Sequence, residues 1–173
     1  MKIAFRTDAS KQIGTGHFMR CLTLADQLKK QGAVISFLSR NLPIHLNDML
    51  AEKDMKYISL DDDVPDLVDE LSHSAWLGVS QIQDSQATIK ALSGQDWDWL
   101  VIDHYSLDAR WENALRSSVK KIMVIDDIAD RQHNCDVLLD QNYYADMQTR
   151  YKGKVPAHCQ LLLGPRYALL RDE

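Results

Sequence analysis

No apolar run in this chain approaches the roughly 18 residues that cross a bilayer, and the first residues have no cationic start followed by a long apolar core. No membrane span and no secretory signal are expected, and the chain reads as cytoplasmic. Cysteine is scarce and odd in number. Cys21, Cys135 and Cys159 show no C-x-x-C spacing, so a zinc knot or a disulfide framework is not expected and reduced, mostly buried thiols are the default. Nor is there an excess of positive charge: 20 Lys and Arg against 25 Asp and Glu leave a formal net charge of −5. With no basic run or basic-aromatic stripe to offset it, broad nucleic-acid binding is not expected. Internal repeats, low-complexity tracts and linkers are also missing. What is left is 173 residues of ordinary globular composition, 45% hydrophobic and 26% charged, enough for one α/β domain with a substantial core.

The chain is organised around residues 2–20, KIAFRTDASKQIGTGHFMR. Ile3 to Phe5 reads as a buried parallel strand that stops at Arg6, Thr7 and Asp8. A loop with Gly14, Thr15 and Gly16 then delivers His17 to an amphipathic helix carrying Met19, Leu22, Leu24, Ala25 and Leu28. In an open α/β sheet such a first turn lies over the carboxyl edge of the strands, where a helix start presents unpaired N–H groups to an anion. The two common glycine signatures do not fit. Met19 stands where a dinucleotide fingerprint needs a third glycine, and no Gly-Lys-Ser/Thr ending marks a P-loop. The plain alternative is a tight turn whose glycines relieve strain and whose histidine caps a helix.

Further along, strands are expected at Val34 to Leu38, Lys56 to Leu60, Trp99 to Ile102, Lys121 to Ile125 and Val137 to Leu139, with a last one near Leu161. Helices are expected over 43–53 behind Pro43, over 65–75, 84–93 and 109–118. Asp61-Asp62-Asp63 reads as a solvated acidic turn. The alternation predicts a Rossmann-like parallel sheet with helices on both faces, so that every strand tip reaches one edge. That topology gathers Arg6, Asp8, His17, Asp103, His104, Tyr105, Asp126, Asp127, Asn142 and Tyr143 along one crevice. Asp103 and Asp126 also fit as caps of the loops that follow, and His104 as a hydrogen-bonded loop residue.

Six blocks carry a resemblance: R-T-D-A-S-x-x-I-G-T-G-H-x-x-R-C-L-x-L-A from Arg6, W-L-G-V-S at 76–80, I-D-H-Y at 102–105, I-D-D at 125–127, C-D-V-L-L-D-Q-N at 135–142 and G-P-R-Y-A-L-L-R-x-E at 164–173. In these the chain resembles the UDP-2,4-diacetamido-2,4,6-trideoxy-β-L-altropyranose hydrolase family of pseudaminic acid synthesis. The resemblance implies the amino-terminal domain of a glycosyltransferase-B-like enzyme that releases UDP from a sugar without metal or cofactor. It also implies a carboxyl-terminal nucleotide-binding domain that is missing here. Residues 1–173 are thus expected to be one α/β domain forming one wall of a cleft, inactive alone.

The bond to break joins an anomeric carbon to a diphosphate oxygen, so the demanding task is to deprotonate a water on the opposite face. A neutral imidazole is available near pH 7, histidine's ordinary pKa being ~6.5. The turn and the resemblance both point to His17 as general base. Gly14, Thr15 and Gly16 would offer N–H groups to substrate oxygens, and Arg6 or Arg20 would offset phosphate charge or orient carboxylates. Asp8, Tyr105 and Asn142 would hydrogen-bond the sugar or its water. A glycosyltransferase of the same architecture and a non-catalytic ligand-binding domain remain the alternatives.

Overall fold

The apolar run at Ile3–Phe5 sits at the centre of a sheet, in a computed structural model that describes residues 1–60, 64 and 70–171. Seven strands, β1 (Lys2–Thr7), β2 (Val34–Ser39), β3 (Lys56–Ser59), β4 (Trp97–Asp103), β5 (Val119–Ile125), β6 (Val137–Asp140) and β7 (Gln160–Leu163), line up in the order β3-β2-β1-β4-β5-β6-β7. Every neighbouring pair is parallel. Between them run the helices α1 (Gly16–Lys30), α2 (Ile44–Glu52), α3 (Gln81–Leu92) and α4 (Ala109–Leu115).

Successive strand side chains point to opposite faces, so the sheet carries two cores. Ile3, Phe5, Ile35 and Phe37 pack under Phe18, Cys21 and Leu22 of α1 and Leu46 and Leu50 of α2. On the other face Ala4, Leu100, Ile102 and Ile122 meet Leu92 of α3 and Trp111 and Leu115 of α4. This is the Rossmann-like α/β sheet with helices on both faces that the sequence predicts. Strand order reverses between β1 and β4, which opens a crevice at their carboxyl ends.

Several elements depart from expectation. Helix α3 begins at Gln81 rather than at residue 84, because Ser80 and Gln83 close a capping box at 3.1 and 3.2 Å. Helix α4 stops at Leu115. Of the helix expected over 65–75, residues 65–69 lie outside the described residues, as does the acidic turn 61–63. The described remainder forms turns and one 3₁₀ turn, Ser74–Trp76. Finally, no α-helix links β5 to β6 or β6 to β7. There the buried ring of Tyr151, 1% exposed, fills the layer, and its hydroxyl lies 3.1 Å from Asp126 and 2.8 Å from Asp140, with its one proton shared between them. The three cysteines are free; Cys135 and Cys159 lie with their Sγ atoms 3.7 Å apart.

Beneath the crevice Arg6 is wholly buried. It donates to Asp8 at 2.6 and 3.1 Å and to Asp84 of α3 at 2.6 and 3.2 Å. Asp84 also accepts from Arg40 and from the Trp111 indole, each at 2.9 Å. Burial pushes both carboxyls up, and the adjoining Arg6 guanidinium overrides it, holding Asp8 and Asp84 below the usual carboxylate range.

Replacing Asp84→Asn leaves two buried guanidinium groups under-compensated and should cost about 3–5 kcal/mol, read as a lower denaturation midpoint at unchanged slope. A shift of only a few tenths would show the cluster to be dispensable. The same carboxyls predict an acid limb. Their folded-state pKa lies below the unfolded ~3.9, so their stabilisation is complete above that value and is lost as pH falls through the folded one. Melting temperature should therefore hold from pH 7 to about 5 and fall steadily below about 4; equal melting at pH 3 and pH 7 would contradict it.

Candidate active site

The loop after β1 turns tightly, with Gly14 N–H donating to the Ser10 carbonyl at 2.8 Å and Gly14 at φ +77, a left-handed conformation that disfavours side chains. A Cβ placed on Gly16 would meet nothing within 4 Å, so glycine there relieves no internal clash. Thr15 stands at the N-cap of α1 but makes no side-chain cap hydrogen bond. The histidine is not the cap either. It is the second residue of the helix, and its ring turns across the switch point to β4.

There Nδ1 of His17 lies 2.6 Å from Oδ1 of Asp103, the last residue of β4 and fully buried. Arg20 sits one turn further along α1, on the same face. Its Nε donates to Oδ2 of Asp103, its Nη2 to Oδ1 at 2.7 Å, and its Nη1 to Asp127 at 3.2 Å. Burial favours a neutral Asp103, but the hydrogen bonds from Arg20 and His17 outweigh it and hold its carboxyl below the usual range. An ionised carboxylate only accepts, so the 2.6 Å contact places a proton on Nδ1; Nη2 of Arg20, 3.3 Å from the same nitrogen, is then a contact and not a hydrogen bond, and in this tautomer the lone pair is on Nε2. No described residue bonds Nε2, and the side chain retains 11% exposure. The ring is walled edge-on by Tyr105 (centroids 4.5 Å apart) and further off by Trp76 (6.5 Å).

Asp127 organises the other side. It accepts from the Tyr105 hydroxyl, from Arg20 and from the Asn142 amide at 3.2 Å, while its carbonyl accepts from Tyr144 at 2.8 Å and Arg150 at 3.1 Å. Burial, and then the bond to Asp127, push the Tyr105 phenol above its ordinary value, so it stays a donor.

The structure thus brings His17, Arg20, Tyr105 and Asn142 together, with Gly14, Thr15 and Gly16 exposed on the rim. It sets Arg6 and Asp8 beneath the floor, at 0% and 3% exposure, where they hold loops rather than face the crevice. Asp8 is already engaged by Arg6, Ser39, the Arg40 N–H and His104. His104 has both nitrogens occupied, by Asp8 and by the Ser106 N–H. Asp126 caps its loop through the Ala129 N–H at 3.0 Å, as expected, whereas Asp103 caps no loop and instead orients the histidine. Tyr143 stands 71% exposed. Trp76 was not among the expected site residues, although it opens the W-L-G-V-S block at 76–80, which was the signal for it. Among the described residues no three or more His, Cys, Asp and Glu side chains are grouped to share a metal ion, and no helix is long and apolar enough to cross a membrane.

No protein-family model matches the chain. Over its whole length it is 34% identical to the UDP-2,4-diacetamido-2,4,6-trideoxy-beta-L-altropyranose hydrolase of Campylobacter jejuni. The resemblance carried by the six blocks holds. It spans all of this chain but 53% of that enzyme, fitting its amino-terminal domain. An uncharacterized protein of Methanocaldococcus jannaschii is 22% identical over 174 residues, and the chain spans 31% of it. Among solved structures, a UGT transferase from Siraitia grosvenorii in complex with UDP superposes on 72% of this chain and 27% of its own with a TM-score of 0.51 and 16% identity. At that identity the likeness concerns the fold alone.

The His17 tautomer is directly testable. Nitrogen-resolved NMR of the neutral ring should find the proton on Nδ1, and Asp103→Ala should move it toward Nε2. A wild-type ring protonated on Nε2 would overturn the geometry described for the pair.

Proposed function

We propose that this chain forms the amino-terminal part of a nucleotide-sugar hydrolase acting on a UDP-linked diacetamido-trideoxy sugar in the cytoplasm, with His17 as general base. The observation that carries the reading is the pairing of His17 with Asp103 at the switch point, which leaves Nε2 as an acceptor at the open edge. Water held there gives a proton to Nε2 as its oxygen bonds the anomeric carbon. The carbon–oxygen bond to the diphosphate breaks on the opposite face, and its electron pair leaves with UDP. Asp103 then faces an imidazolium, as an aspartate does beside a catalytic histidine elsewhere. The sequence of steps calls for no metal or cofactor.

Charge placement supports a second domain. Arg6 is buried against Asp8 and Asp84, and Arg20 is held by two carboxylates. Arg6 is closed to the phosphates, and Arg20 would meet them with its charge already shared between Asp103 and Asp127. The diphosphate would therefore be held chiefly by residues beyond this chain, in keeping with its span of 53% of the Campylobacter enzyme, and the chain alone should turn over little or no substrate.

The test uses the longer protein. His17→Ala should lower kcat by about 10²- to 10⁴-fold with the melting temperature kept. Near-normal release of UDP and free sugar would sink the assignment, and recovery of the sugar on an added acceptor instead of water would favour a transferase.

A further inference from the structure

A second depression opens beside the crevice, between the glycine turn and the segment that follows the 3₁₀ turn. Its volume is about 260 Å³, and Ala9, Ile13, Trp76 and Val79 supply its apolar wall while Gln12 and Asn41 stand at its polar side. Trp76 is shared with the catalytic edge, its ring lying 6.5 Å from that of His17. Whatever occupies this pocket therefore adjoins the group that lies over the imidazole.

The charged groups at its floor are already neutralised. Asp8 accepts two bonds from Arg6 and one each from Ser39, the Arg40 N–H and His104, and Arg40 is paired with Asp84 at 2.9 Å. A phosphate or carboxylate would have to break these pairs, at the cost of stranding a buried charge. By contrast the amides of Gln12 and Asn41 have no hydrogen-bond partner among the described residues, and both residues are exposed. Asn41 is also held at φ +52, a left-handed conformation that asparagine tolerates better than most residues. Two amides, each a donor and an acceptor, facing an indole and small aliphatic groups, match a neutral ligand that combines an amide with a methyl.

We propose that this pocket is the subsite for an N-acetyl substituent of the sugar, with Gln12 and Asn41 hydrogen-bonding its amide and Trp76 packing on its methyl. The proposal rests on the nucleotide-sugar reading above. A 2-acetamido group is carried on the carbon next to the reacting one, so a sugar whose anomeric carbon lies over Nε2 of His17 sends that substituent to one side or the other, and the pocket beside Trp76 lies on one of them.

The test uses the longer protein and two sugars, N-acetylglucosamine and glucose, followed by amide-resolved NMR. N-acetylglucosamine should shift the signals of Ala9, Gln12, Asn41 and Gly78 and the Trp76 indole saturably, and glucose at the same concentration should not. Combining Gln12→Ala with Asn41→Gly, which keeps the backbone conformation of residue 41, should weaken the binding about tenfold. Equal shifts from both sugars, shifts clustered elsewhere, no shifts at all, or undiminished binding by the double variant would each overturn the subsite. Hydrolysis is not read in this experiment. Retained N-acetyl binding beside a His17→Ala enzyme of normal rate would sink the general-base reading alone, and absent binding beside a rate that depends on His17 would sink the subsite alone.

Discussion

Asp103 is a carboxylate at the end of a central strand with no exposure to water, and such a group is tolerable only when charged or polar donors surround it. Both of its oxygens are satisfied from one direction, by His17 and Arg20, which lie one turn apart at the start of α1. The guanidinium engages both oxygens, so it cannot swing away without stranding the charge, and the ring shares Oδ1 with it. The helix start is thereby tied to the tip of β4 across the point where strand order reverses, and the imidazole is presented with one nitrogen occupied and the other open.

The ionic groups around this edge fall into two tiers. The lower one, Arg6, Asp8, Asp84, Arg40 and His104, is dry and joins β1, the end of β2, α3 and the loop after β4. It sets the height of the loops. The upper one rises from buried Asp103 to the partly exposed Asp127, Arg20, Tyr105 and Asn142 and shapes what those loops present. Because each cation is matched by carboxylates, the edge carries polar groups without a net positive field. Such a surface suits the hydroxyl, amide and methyl groups of a sugar better than a diphosphate.

Much of this was legible in the residues. Short apolar runs ending in polar clusters are what a doubly covered parallel sheet requires, and they located the strands and the crevice. The capping box at Ser80 and Gln83 was also readable, and it would have started α3 at Gln81. The role of Arg6 was not readable. An arginine at a strand tip looks the same whether it faces solvent or an aspartate in a distant helix, and Asp84 lies 78 positions away. Of the two readings of Asp103, its place at the crevice held and the loop cap did not, for a related reason: an aspartate after a strand is a common loop cap, and only its neighbours in space show otherwise.

The sequence alone determined that this chain is a parallel α/β sheet with a histidine at its first glycine turn, because hydrophobic period, turn residues and short motifs are local properties. Tertiary structure decided which polar residues meet. Hydrogen bonds and ion pairs form over about 3 Å, between groups whose separation along the chain carries no information about their separation in space. Hence the partner of His17, the burial of Arg6 and the neutral pocket beside Trp76 could be known only after the strands had been placed side by side.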